Sequence, residues 1–384
     1  LKGIRLKVST GTGFIRQGLV VVQFSVSIIL IIGTVIIYQQ LRHVRGRELG
    51  YNKNDLVYIE RQGKLDEHFD KVNQDLKQTG VVEDAALSDC PISQIGTNAD
   101  NYFWKGKDVS KNPLISWEDV NSSFLSTMDI KLAAGRGFYP DASLDSNSVL
   151  INESLARQMG KEGRIGGIIV EGKKPFQIVG IMKDFLYNTL YEASAPLLLH
   201  NHPTGTMYVS IRIKQNAHLQ DALAKVEAVL KADNPGYPVD FKFIDEDFNI
   251  LFKAETLTGK LAGLFATLAI FISCLGLFGL AAYTAERRIK EIGIRKVLGA
   301  SVSGLVGLLS RDFLRLVGTS CLIAFPLAWW ALHNWLQGYA YRVDIHWWVF
   351  ALAGTLAILI AMITVSFQAI KAAAANPIKN LRTE

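Results

Sequence analysis

His200 and His202 stand two residues apart behind the apolar run Leu197–Leu199, a His-x-His spacing that could ligate a metal. A strand end or turn is the preferred reading of that pair. Asp245-Glu246-Asp247 could hold a cation, but three acids opening a helix are accounted for by the positive end of the helix dipole. Lys105, Lys107 and Lys111 near Trp104 suggest nucleic acid, yet the segment around them is net acidic, and a solvated face explains them. There is no Gly-x-Ser-x-Gly, no His-Glu-x-x-His and no paired-cysteine metal spacing. No Gly-x-x-x-x-Gly-Lys-Ser/Thr occurs either, because Gly259-Lys260 has Ala254 where the first glycine should stand. Cys90 falls in a polar segment, while Cys274 and Cys321 fall in apolar runs, so no intrachain disulfide is expected. The residues thus assign no catalytic, metal or cofactor site to this chain.

What the sequence does specify is where its charges sit. The 384 residues carry 41 Lys and Arg against 35 Asp and Glu, a net +6. Residues 39–260 hold 26 basic and 30 acidic residues, a net −4, and the rest hold 15 and 5, a net +10. A globular-looking acidic block is set in a basic, apolar frame, which excludes an ordinary soluble two-domain protein.

The frame contains four runs of about 20 apolar residues, enough to cross a hydrocarbon core of about 30 Å as helices. They are Leu19–Tyr38, Leu261–Tyr283, Phe313–Leu332 and Trp347–Phe367. The first is too long for a cleavable signal, and no small-residue cleavage site follows it. Lys2, Arg5, Lys7 and Arg16 precede the first run. Arg287, Arg288, Lys290, Arg295, Lys296 and Arg311 lie between the second and third, and Lys371, Lys379 and Arg382 follow the fourth. The positive-inside rule then puts both termini, 1–18 and 368–384, and the segment 284–312 in the cytoplasm. Residues 39–260 and the short loop 333–346 fall outside. Trp329, Trp330, Trp335, Tyr339, Tyr341, Trp347 and Trp348 cluster about that loop, where amphipathic rings prefer the interface. Arg315, near the cytoplasmic end of the third run, snorkels, and Pro326 is expected to kink the helix. Gln23, Ser25, Ser27, Ser366 and Gln368 are candidate helix–helix contacts. No Asp or Glu lies inside a run, so a proton relay has nothing to work with.

The outer segment alternates strand-like and helix-like stretches. Strands are expected at Leu56–Glu60, Leu114–Val120, Ser148–Ile151, Gly167–Val170, Phe176–Ile181, Met207–Ile213 and Val239–Ile244. Helices are expected at Glu67–Thr79, Ser122–Met128, Glu153–Met159 and Leu219–Asp233. The fold class is therefore a membrane α-helical protein with four transmembrane helices in a one-plus-three arrangement and a large extracytoplasmic mixed α+β domain of two lobes. Gln39–Leu49 and Phe248–Lys260 read as helical stalks joining the two parts.

The sharpest signal follows the second run. On a helix, Ile289, Ile292 and Val297 share one side with Gly293, while Arg288, Glu291 and Arg295 share another. Glu286–Lys290 and Glu291–Arg295 are favourable pairs four apart, and Gly299 can end the helix. Periodicity leaves two readings open, a basic anchor on the inner leaflet and a docking surface for another protein. The stretch Glu291, Ile292, Gly293, Ile294, Arg295, Lys296, Val297, Leu298, Gly299, Ala300 resembles the signature of FtsX/MacB-type ABC transporter permeases. Ala375-Asn-Pro-Ile-Lys-Asn-Leu-Arg382 resembles the closing motif of that family, and Arg16–Phe24 the start of its first span. Val149–Ala156 and Ile178–Phe185 resemble stretches of a MacB-like periplasmic core domain.

The resemblance implies a non-catalytic permease subunit of the bacterial inner membrane. ATP and Mg would be bound by a separate ABC ATPase, which would dock on Glu286, Arg287, Arg288, Glu291, Ile292, Gly293, Arg295, Lys296 and Gly299. Movement of the spans would be relayed through the stalks to the periplasmic domain, for efflux or extraction of an antimicrobial, a toxin or a lipoprotein. An FtsX-like regulator of a cell-wall hydrolase is the alternative. The implied partners are the ATPase, a second permease unit, membrane lipid and, in an efflux assembly, a periplasmic adaptor, with no nucleic acid. Leu1-Lys2-Gly3 resembles the Leu381-Arg382 end of a preceding copy, so the chain is expected to be the second half of a tandem-duplicated permease.

Overall fold

In the computed structural model, residues 11–63, 65–108, 113–187, 191–288, 294–295 and 301–374 are described. Their elements run α1 (Gly11–Arg45), β1 (Leu56–Glu60), α2 (Leu65–Gln78), β2 (Val82–Ser88), β3 (Asn98–Ala99), β4 (Tyr102–Phe103), β5 (Ile115–Val120) and α3 (Phe124–Met128). Then come β6 (Leu132–Gly135), β7 (Ser148–Asn152), α4 (Glu153–Met159), β8 (Ile168–Glu171), β9 (Lys174–Met182), β10 (Leu197–Asn201), β11 (Tyr208–Ile213) and α5 (Leu219–Asp233). The chain closes with β12 (Lys242–Phe243), α6 (Ile244–Leu251), α7 (Lys253–Arg287), α8 (Val302–Gln337) and α9 (Trp347–Ala374). Two compact units result: a helical one, Leu1–Arg45 with Ala254–Glu384, and a sheet one, Gly46–Lys253.

Within the helical unit, four helices are long and apolar enough to cross a membrane. Val20, Phe24, Ile28, Ile32 and Ile36 recur every fourth residue and form one buried stripe on α1. Ala353, Ala357 and Ala361 on α9 share that core with Val317, Ala324 and Ala328 on α8. Lipid gives apolar helices no reason to associate, so small residues and interhelical hydrogen bonds must hold them. Ser27 Oγ lies 3.0 Å from Ser273 Oγ, Ser25 Oγ donates to Ser320 O, and Ser320 Oγ donates to Val21 O. Gly276 lies where any Cβ would collide with Gln23. Gln368 is buried. α8 continues through Pro326 to Gln337. Beyond the apolar stretch, Gln40 bonds Tyr341 O and Val343 N, His43 stacks on Tyr341 at 4.2 Å, and Arg45 donates to Thr256 Oγ1. That region thereby ties α1 both to α7 and to the segment between α8 and α9.

The described strands of the sheet unit form one 12-stranded mixed sheet, ordered β12-β1-β11-β2-β5-β10-β7-β9-β8-β4, with β3 beside β5 and β6 beside β9. Alternation sorts the side chains. On β1, Leu56 and Tyr58 enter one core while Val57 and Ile59 enter another. The second core is covered by α2 and α5, whose Leu65, Phe69, Val72, Leu76, Ala222, Val226 and Leu230 recur at helical spacing. The ladder is narrowest at β2–β5, a single pair, Ser88 with Val120. The core holding Leu56, Tyr58, Val120, Leu150 and Met182 spans that waist, and the sheet runs on through it. α4 is capped by Asn152, whose side chain accepts from Leu155 N at 2.9 Å.

Most expected elements fall within one or two residues of those observed. Three differ. β2 went unseen because Glu83, Asp84 and two alanines dilute its β signal. Val239–Ile244 shrinks to β12, since α6 already starts at Ile244. The expected stalks are shorter than drawn: α1 stops at Arg45, and Phe252, with φ −98° and ψ 3°, separates α6 from α7.

Candidate functional site

α7 ends in the basic stretch singled out by sequence. The guanidiniums of Arg16 and Arg287 lie 4.5 and 5.4 Å from the centroid of the Tyr283 ring. Arg288 Nη2 donates to Asp312 Oδ2 at 3.1 Å, and Arg315 Nη1 lies 3.9 Å from the same carboxylate. This pair ties the end of α7 to α8, although at its exposure it is worth no more than about 1 kcal/mol. Ser301 opens α8 as its cap, Oγ accepting from Gly304 N at 3.2 Å. Glu286, Arg287, Ile294 and Arg295 are exposed. Glu291, Ile292, Gly293, Lys296 and Gly299 lie outside the described residues, as do the tail motif 375–382 and Lys111. The structure thus brings Arg287 and Arg288 together with Arg16, Tyr283 and Asp312. Asp312 carries no local sequence signal, because the Arg288–Asp312 pair spans 24 positions, whereas Tyr283 stands one helical turn before Arg287.

The sheet unit receives the chain at two junctions. After α1, Leu49 O accepts from Leu186 N, and Arg47 donates to Glu192 O. Gly50 adopts φ +81°, and a Cβ there would stand 2.5 Å from Asp184 O and 2.8 Å from the Phe185 backbone. Only glycine fits both the conformation and the approach. Before α7, the acidic run opens the first turn of α6 as read from sequence. Asp245 and Glu246 are exposed, but Asp247 Oδ2 accepts from Tyr58 OH (2.9 Å), Ser93 Oγ (2.9 Å) and Gln94 Nε2 (3.1 Å). Sequence reasoning missed that role, since all three donors lie more than 150 positions away.

The histidine pair straddles a strand end. His200 lies in β10 among Tyr102, Trp117 and Phe176, and burial lowers its pKa to about 4, so the ring is neutral at pH 7. His202, more exposed, has Nδ1 3.1 Å from Asp119 Oδ2. Both line a cavity of about 530 Å³ with Asp119, Glu171 and Lys174. Burial raises the Asp119 and Glu171 carboxyls above their ordinary range. Among the described residues no cluster of three metal-ligating side chains forms. On the opposite face of β5, Glu118 accepts from Cys90 N at 2.5 Å, and burial pushes its pKa up to about 8. Burial, then Glu118, pushes the Cys90 thiol up to about 11.

Two family models match this chain. The family model for the MacB-like periplasmic core domain matches residues 19–229, and that for the FtsX-like permease C-terminal region matches residues 263–377. The chain belongs to the FtsX/MacB-type ABC transporter permeases. It is similar to the uncharacterized ABC transporter permease YknZ of Bacillus subtilis, 25% identical over 278 residues covering 69% of each chain. It is also similar to the macrolide export ATP-binding/permease protein MacB of Neisseria meningitidis, 26% identical over 196 residues. The pyoverdine export ATP-binding/permease protein PvdT of Pseudomonas putida is 24% identical over 236 residues. The chain spans about a third of the length of the two export proteins, 30% and 32%, and the matches cover 47% and 57% of this chain. Among solved structures, the periplasmic region of MacB from Actinobacillus actinomycetemcomitans matches 55% of this chain and 98% of its own at 12% identity and a TM-score of 0.37.

Proposed function

We propose that this chain is the permease subunit that carries ATP-driven movement of a separate ABC ATPase to an extracytoplasmic domain, for export or extraction of a periplasmic substrate. Both termini and the segment 284–312 lie in the cytoplasm of a bacterium, with the sheet unit in the periplasm. The observation that supports a relay is the length of α1 and α7, 35 residues each. At 1.5 Å per residue each spans about 52 Å, about 20 Å more than the hydrocarbon core. The excess is continuous helix, stiffer than a linker. The ATPase docks on the basic segment from Glu286 to Gly299, and ATP and Mg stay on that partner. A second permease unit completes a symmetric pair of docking sites.

The test is copurification. Glu291→Ala with Arg295→Ala is expected to abolish capture of the ATPase and its stimulation by the permease, with the permease still inserted. Undiminished coupling in the double variant would refute the docking surface. Activation of a cell-wall hydrolase by the intact complex, without substrate export, would instead favour the FtsX-like regulatory alternative.

A further inference from the structure

We propose that Asp247 is the positioning residue that latches α6 to the large sheet, so that the chain leading into α7 moves the sheet unit as one body. The inference rests on the relay reading above. α6 buries Ile244 and Phe248, one turn apart, and Phe252 follows a turn later at its end. Such an apolar stripe holds a short helix against a core but does not fix it against sliding. Asp247 adds direction. Its one oxygen, Oδ2, receives three donors from two remote segments, Tyr58 on β1 and Ser93 with Gln94 on the turn after β2. Hydrogen bonds to an ionised carboxylate are about twice as strong as neutral ones.

The turn does not stop at Asp247. Residues 89–95 run from the waist of the sheet to α6, with Ile92 and Ile95 fully buried. At the far end, Cys90 N donates to Glu118 Oε1, and Asp89 N donates to Asp119 O. The segment is therefore a strap bonded to α6 at one end and to β5 at the other. Its β5 end lies next to the single Ser88–Val120 pair that joins the two halves of the sheet. A pull on α6 reaches β1 directly through Tyr58 and reaches β5 through the strap.

The first junction converges on the same place. Lys53, a few residues past the end of α1, sets its Nζ 3.7 Å from the centroid of Phe248 on α6. Burial first, then the Asp247 charge, raises the Tyr51 phenol well above its ordinary value. Burial, the hydrogen bond to Asp247 and its charge do the same to Tyr58, which remains a donor across the physiological range. Both places where the chain joins the sheet unit thus meet around one carboxylate.

The experiment uses the full chain with its copurified ATPase in nanodiscs and follows amide hydrogen exchange with and without ATP. In Asp247→Ala the resting exchange of 89–95 and 244–251 is expected to rise about tenfold, with 148–182 unchanged. ATP hydrolysis should stay within about twofold of the parent, while the ATP-dependent changes in β1 and the strap disappear. Tyr58→Phe with Ser93→Ala leaves Asp247 and the packing in place and removes two donors; it should give the same pattern. Unchanged resting exchange in both variants overturns the latch, whatever the relay does. An intact ATP response in both variants, despite raised resting exchange, overturns its coupling role. Absence of any ATP response in the parent overturns the relay reading itself, and the role of the latch with it.

Discussion

Glu118 is fully buried on β5, with Oε1 held by Cys90 N and Oε2 without a partner among the described residues. An unpartnered buried oxygen is costly when charged and cheaper when it carries a proton. With a folded pKa near 8, the native state holds a proton that the unfolded chain, with an ordinary value near 4.3, releases between the two values. The sign follows: this group favours folding least above pH 8, and its contribution declines as pH rises from about 4.5 to 8. The limiting slope for one proton is about 1.4 kcal/mol per pH unit. Glu118→Gln keeps the acceptor for Cys90 and cannot ionise. Its thermal midpoint, measured beside the parent from pH 5 to 8, is expected to gain steadily on it; parallel curves would disprove the assignment.

At the scale of elements, α7 sorts its residues by size. Ser273 and Gly276 face α1, and a side chain at Gly276 would have to displace the amide end of Gln23, whereas Gly279 has nothing within 4 Å of its Cβ position. Gly276→Leu is expected to cost about 1–3 kcal/mol through overpacking and to lower the melting midpoint of the full chain in detergent. Gly279→Leu should be near neutral, and equal effects in the two would contradict the packing. Spans, α4, α5 and most strands were legible because their periodicity is local. The pairing of Ser27 with Ser273 was only half legible: Ser27 stood out as polar in an apolar run, but its partner across 246 positions did not. Asp247 was seen as a helix-opening acid and nothing more, for the same reason. The docking segment was legible only through its resemblance to a family, since a basic amphipathic helix also suits a lipid surface.

At the scale of the molecule, the two units have separate cores, one shared by α1, α7, α8 and α9 and three arranged about the sheet. A unit of about 200 residues with its own cores can fold alone. Residues 46–253 expressed as a fragment are expected to be soluble and to unfold in one cooperative transition by calorimetry. Aggregation or a broad transition would mean that the helices complete the fold. The sheet of that unit has a further consequence in its ends. Its main strand order terminates in β12 and β4, two residues each, so neither of those two ends offers a long run of unpaired amides and carbonyls on which another strand could grow. Copies crowded side by side in one membrane can then shift past each other without being stitched together through those two ends. There a partner of this domain finds side chains to read rather than backbone to pair with.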